Sequence, residues 1–258
     1  MPEIKLFIDK SLGENASLYY DRSKKIRKKL EGAKAALVQS RKKLEELEKT
    51  KETELKAAEK KPKTETKKEW YEKFRWFHSS EGFLCIGGRD ATTNEIIIKK
   101  HTDKDDLVFH TEMAGSPFFV IKTEGKQPGK ATLEECAQAT ASYSRAWKLG
   151  VANTEVFYVN PEQVSKEAKA GEFIAKGAFM IRGKKIIMGS ELKLAVGIKD
   201  SRIIGGPVES IKSQTAEFVM ITAGKEKSSD AAKKIKQKIG GEMDDIIRFL
   251  PSGGVKCL

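Results

Sequence analysis

The chain has 258 residues, with 49 Lys and Arg against 37 Asp and Glu, a net charge of +12 and a pI near 9.4. This length holds one ordinary domain with an appendage or two small domains, and 39% hydrophobic residues can fill a core. One third charged residues is too many for one compact globule, so an extended charged element is expected, with an acidic partner, nucleic acid first. No apolar run approaches the roughly 18 residues of a membrane span, and Met1-Pro2-Glu3-Ile4-Lys5 lacks an apolar signal region. The three cysteines, Cys85, Cys136 and Cys257, are scattered, which argues against a disulfide scaffold and for a reduced, cytoplasmic protein.

The charge is uneven. Residues 1–68 hold 20 basic and 12 acidic side chains, a net of +8; residues 69–258 hold 29 and 25, a net of +4. Ile4, Leu6 and Ile8 alternate with Lys5 and Phe7, which predicts one extended segment. From Ala16 the pattern is helical. Ile26, Leu30, Ala33, Leu37, Ser40, Leu44 and Leu47 form a heptad seam, with Ser40 its weak point. Such a stripe needs a partner helix, a second copy or another chain. Arg22 to Lys29 carries six basic residues in eight, readable as a solvated helix face or as a lever on phosphates. Lys61-Pro62-Lys63-Thr64-Glu65-Thr66 reads as a linker, so the expected division is an arm over 1–68 and a globular part over 69–258.

The globular part reads as strands at Lys73–His78, Gly82–Gly87, Glu95–Lys100, Asp106–Thr111 and Pro117–Thr123, with Arg89 to Asn94 as a hairpin turn. Thr132 with Glu135 has capping-box spacing and opens a helix to about Leu149. Strands follow at Glu155–Val159, Ala178–Arg182, Lys185–Met188, Glu191–Ile198 and Phe218–Ile221. Two helices then run from Ser229 or Asp230 to Ile239 and from Glu242 to Leu250. The expected class is α+β: a mostly antiparallel sheet with a principal central helix, preceded by a long coiled-coil-type helix.

Catalytic and metal motifs fail. Gly125 to Thr132 imitates a phosphate loop, but it is one residue short, Pro128 removes an amide, and Ala131 stands where a hydroxyl is needed. No cysteine or histidine pair has zinc spacing. Ser116 lies outside a nucleophile elbow, because position 118 is Phe. No catalytic residue, metal or cofactor is expected.

Three stretches exceed what packing asks. Trp70 to Ser80 interleaves five aromatic rings with basic groups, suiting either base stacking or a strand face for Phe74 and Trp76. Gly87-Gly88-Arg89-Asp90, with Asn94 and then Lys99-Lys100, presents Arg89 at an exposed turn, which Asp90 shapes. Phe109-His110, Gly115-Ser116-Pro117 and Lys122 form the third.

Their order, with Trp76 to Phe83, Ser144-Arg145-Ala146-Trp147, Pro161 to Lys166 and Gly177 to Lys185, resembles the NFACT RNA-binding domain of the NEMF and RqcH ribosome quality-control factors, whose bacterial members were once called fibronectin-binding proteins. Asn15-Ala16 with Tyr19-Tyr20 and the Lys-rich helix resembles the start of that family's coiled coil. The resemblance implies a fragment or a short member, because NFACT-N and helix-hairpin-helix modules precede the coil in full-length proteins. It implies RNA binding on the large ribosomal subunit holding a stalled nascent chain, with rRNA and tRNA as partners. The heptad seam calls for a coiled-coil partner helix or a homodimer, and the lack of a long apolar run for no membrane partner. The phosphate-contact candidates are Arg89, Lys99, Lys100, Lys166, Arg182, Lys184 and Lys185. His78, His110 and Trp147 are candidates for stacking, although a tryptophan on such a helix face, as Trp147 is, is more often a core residue. Asp90, Asn94, Gly115 and Ser116 shape the site. The rival readings are a coiled-coil protein-interaction module without RNA contact, and an enzyme built on His110 and Ser116.

Overall fold

The computed structural model describes residues 4–58, 69–167 and 174–258; the expected linker at 61–66 lies outside them. The chain divides into two units, residues 1–67 and 68–258.

In the first unit α1 runs Leu12–Ala58, 47 residues and about 70 Å at ~1.5 Å each. It begins earlier than its heptad pattern suggests because Ser11 and Glu14 cap it reciprocally. The Ser11 amide donates to Glu14 Oε2 at 2.7 Å, and the Glu14 amide donates to Ser11 Oγ at 3.3 Å. The alternating segment before it is no strand. Asn15 accepts from the Phe7 amide at 2.9 Å and donates to Phe7 O and Lys10 O, while Tyr19 donates to Lys5 O. Residues 5–11 are therefore clamped onto the first turns of α1. Ile26, Leu30, Leu37, Leu44 and Leu47 stand exposed along the helix.

The second unit is α+β, as its pattern implies. Strands β1 (Arg75–His78), β2 (Leu84–Gly87), β3 (Leu107–His110), β4 (Phe119–Lys122), β5 (Asn153–Val159) and β8 (Ile186–Glu191) form a six-stranded antiparallel sheet in the order β1-β2-β4-β3-β5-β8. A short pair, β6 (Val164–Ser165) and β7 (Met180–Ile181), stands apart. The second sheet, in the order β10-β9-β11-β12, comprises β9 (Lys193–Lys199), β10 (Arg202–Gly206), β11 (Phe218–Glu226) and β12 (Val255–Cys257). The helices are α2 (Ala91–Lys100), α3 (Lys130–Ser142), α4 (Arg145–Leu149), α5 (Val208–Gln214), α6 (Ser228–Ile239) and α7 (Met243–Phe249).

Strand alternation separates two cores. Cys85, Phe109, Phe119, Ile121 and Val156 face one way, into a core shared with Cys136, Ala137, Ala139 and Ala141 of α3 and with Leu194, Val196, Val219 and Ile221 of the second sheet. The run of small residues lets α3 fit between the sheets as the central helix. Ile86, Val108, Phe118, Val120 and Phe157 face the other way, onto Ile97 of α2.

The second unit departs from the sequence reading most plainly at two helices. Glu95–Lys100 is the second half of α2, not a strand, and residues 89–94 are no hairpin turn. Asp90 caps that helix, accepting from the Thr93 amide at 2.8 Å, while Thr93 Oγ1 accepts from the Asp90 amide at 2.9 Å. The β-branched Ile96-Ile97-Ile98 run favours strand locally, but the cap and the burial of Ile97 prevail. The central helix is also broken. Gly129 rather than Thr132 caps α3, and Ser144 caps α4 by accepting from the Ala146 amide at 3.1 Å.

Candidate nucleic-acid interface

The glycines of Gly87-Gly88-Arg89-Asp90 are there for close approach. A Cβ on Gly87 would lie 2.4 Å from the Phe119 ring, and one on Gly88 would lie 1.8 Å from Asn94 Oδ1. That space lets Asn94 accept from the Phe118 amide at 3.2 Å while the Gly88 amide donates to Phe118 O at 3.0 Å. The start of α2 is thereby tied to β4. On the far side Gly177 packs on Ala91, where an added Cβ would come within 2.5 Å of its Cα. Gly115, at φ +87°, turns the loop after β3, and Ser116 Oγ donates to Met113 O at 2.9 Å.

These turns surround an open cleft of about 820 Å³. Among the described residues, Arg75, Arg89, Arg145, Lys148, Lys176 and Lys185 line it, against the acidic Asp90 and Glu112. The imbalance makes the cleft electropositive although the globular unit is nearly neutral. Of the sequence candidates, the cleft gathers Arg89, Asp90, Asn94, His110, Gly115, Ser116 and Lys185.

Arg89 is not the exposed turn residue expected. It is half-buried, and its Nη2 and Nη1 donate to Phe74 O at 3.1 Å and Arg248 O at 3.3 Å. Burial, then Arg75 and Arg248, pull its pKa down to about 10. Arg75 lies 4.0 Å over the Tyr143 ring, and its buried Nη1 has no partner among the described residues. His110 stacks on Phe118 at 4.1 Å, and burial holds its imidazole below the ordinary range. Lys185 sits 4.5 Å over the Phe157 ring and pairs with Glu112 at 2.5 Å.

The remaining candidates lie elsewhere. Lys99 and Lys100 are exposed in the last turn of α2. Arg182 and Lys184 are exposed around Gly183, where the Gln163 amide donates to both of their carbonyls. Lys166 pairs with Glu95 and lies 5.4 Å from the Phe179 ring. His78 packs edge-on to Tyr71 and Trp76. Trp147 must be withdrawn as a stacking platform: it is 1% exposed and its indole N–H donates to Gly254 O at 2.9 Å. The loop that imitates a phosphate cradle is occupied by protein, since Glu81 accepts from the Gly129 and Thr132 amides at 3.1 and 3.0 Å.

Arg75, Arg145, Lys148 and Lys176 were missed. Arg75 hides among aromatic residues, and Arg145 and Lys148 flank a tryptophan. The signal available was Arg145 directly after Ser144, the helix-capping serine.

Residues 73–183 match the family model of the NFACT protein RNA binding domain. The chain belongs to the NFACT family. All the cleft residues except Lys185 and Ser252 fall within the matched NFACT segment. The chain is 43% identical over 206 residues to the archaeal Rqc2 homolog aRqcH of Methanocaldococcus jannaschii, covering 77% of this chain and 31% of that one. It is 34% identical over 226 residues to the ribosome quality control complex subunit NEMF of Homo sapiens, covering 80% and 20%. The NEMF homolog of Drosophila melanogaster is 44% identical over 122 residues, covering 47% and 12%. This NFACT chain thus spans about a third or less of these relatives' lengths.

Proposed function

We infer that this chain supplies the helical arm and RNA-contacting head of a ribosome quality-control factor, acting on a large ribosomal subunit that still carries a stalled nascent chain. The observation that carries the reading is the basic cleft: among the described residues six cations, five of them inside the NFACT RNA binding segment, against two carboxylates. The partners are rRNA and tRNA, and the work is electrostatic and stacking, with no bond made by these residues. Arg145, Lys148 and Lys176 are the first contacts for phosphates, with Lys185 behind them and Lys99, Lys100 and Lys184 as outer contacts. Arg89 acts from within, positioning the cleft through its two carbonyl partners.

The test is crosslinking to large ribosomal subunits, with nucleotides and lysines mapped, alongside filter binding of single-stranded RNA. Lys148→Glu with Lys176→Glu is expected to lower RNA affinity at least about tenfold and to remove cleft crosslinks, while the melting temperature holds. Unchanged affinity would refute the cleft as the RNA site. The exposed apolar line on α1 favours an added role for the arm as a coiled-coil partner, through a facing helix or a second copy. Sedimentation of the chain with and without RNA measures that separately.

A further inference from the structure

The inner corner of the cleft holds more charge than the protein uses. Arg75 and Arg89 both line it, and Arg248 adjoins them through its carbonyl bond from Arg89. Among the described residues the arginine ion pairs belong to Arg182, Arg202 and Arg248, so Arg75 and Arg89 have no carboxylate at ion-pair distance. Arg89 is held by two backbone carbonyls, which fix the fork without neutralising it. Arg75 is held by the face of Tyr143, whose hydroxyl is itself fixed by donating to Phe249 O at 2.7 Å. One Arg75 nitrogen, Nη1, is left buried with no acceptor. Withdrawing two guanidinium charges from water without a counter-charge is costly, and orphaned buried donors are rare in folded proteins. The protein keeps both at the wall of an open cleft.

We propose that the Arg75–Arg89 corner binds a terminal phosphomonoester of single-stranded RNA. This rests on the RNA reading above and deepens it. Guanidinium forks match phosphate oxygens in pairs. A monoester brings a charge near −2 at neutral pH, against −1 for a backbone diester, and so answers both arginines at once. The half-exposed rings of His110 and Phe179 lie along the same cleft, where the nucleotide behind the phosphate has a surface to rest on. Lys176 at the rim receives the next backbone phosphate.

The test compares the same short RNA with 5′-phosphate, 3′-phosphate and hydroxyl ends by fluorescence anisotropy on the full chain. Calorimetry with 5′-AMP, adenosine and inorganic phosphate follows. One phosphorylated end is expected to bind at least about tenfold tighter than the hydroxyl end, from two or more charge-assisted hydrogen bonds. The preference grows from pH 5.5 to 7.5, as the phosphate loses its second proton near pH 6. Arg75→Gln abolishes it, and Arg75→Lys retains part of it. The wild-type comparison decides without any variant. Equal affinity for phosphate and hydroxyl ends overturns the proposal, and if that binding still weakens with salt, the RNA reading survives alone. Binding of 5′-AMP with no binding of any RNA overturns both, leaving a free nucleotide as the ligand. Displacement of the RNA end by a peptide carboxylate at equal concentration also overturns the proposal.

Discussion

The arm and the head carry their positive charge in opposite ways. The arm holds two thirds of the net excess, and its described part is an exposed helix with Asn15 as the one buried residue among those described. The head holds one third, nearly balanced overall, yet it gathers six cations around one cleft. Net charge therefore measures attraction at a distance, while a site depends on which counter-charges are kept away. Outside the cleft several lysines of the head are paired, as Lys122 is to Asp103 at 2.6 Å and Lys234 to Glu226 at 2.7 Å. In the cleft most are not.

The largest test of this contrast uses two glycines. Gly88 is pressed against Asn94 Oδ1, whereas Gly32, within α1, has nothing within 4 Å of an added Cβ. Gly88→Ala must push Asn94 away from the Phe118 amide and loosen α2 from β4. The expected loss is about 3 kcal/mol of head stability, read by chemical denaturation. Gly32→Ala is expected to gain about 1 kcal/mol of helix stability, read as rising helicity on heating. If the two changes have similar effects, the arm is not the open helix and the head not the tight fold described here.

The next test separates attraction from recognition. Lys24, Lys25, Lys28 and Lys29 changed together to Gln are expected to lower the slope of log K against log salt by up to about 3, at ~0.7 per phosphate on single strands. The preference for a phosphorylated end stays. Arg145→Gln with Lys148→Gln lowers the slope by about 1.4 at most, and it erodes that preference. An arm variant that erases the preference would move recognition out of the cleft.

Most strands were legible because each carries a short apolar run bounded by polar turns, as Leu107–His110 and Phe119–Lys122 do. Arg202–Gly206 was not, since two of its five residues are glycines, accommodating Phe249 and Phe77. Helix α2 was misread because three isoleucines outweigh a cap in any local count, and only packing reverses them. At the site, the motif glycines, Asp90, Asn94, His110 and Ser116 were legible as residues without a local purpose. Arg75 was not. A strand position between Phe74 and Trp76 reads as half-exposed, and only the long-range meeting of β1 with Tyr143 makes it part of a cleft. Trp147 failed for the reverse reason: an aromatic on a helix face suits core and ligand alike, and Gly254, distant in sequence, settles it.

The smallest expected effect is one of pH, and it too divides the units. All three histidines, His78, His101 and His110, lie in the head, and burial is the first cause lowering each below its ordinary pKa of 6.5. A lowered histidine binds its proton less readily in the fold than in the unfolded chain. As pH falls through 6.5, the unfolded chain takes up protons that the fold refuses, so stability is full above that point and declines below it. Glu135, raised by burial, acts in the opposite sense over part of the range. The net midpoint of thermal unfolding in the head is therefore expected to fall only slightly between pH 7 and 5.5, by less than one proton's worth per histidine. His110 contributes most directly at the cleft, where it faces Glu112, which favours its charged form, and Lys185, which opposes it. His110→Gln is expected to flatten this decline without moving the helicity of the arm. A decline unchanged in His110→Gln would show that the imidazole is solvated, and that the cleft is more open at β3 than its stacking on Phe118 implies.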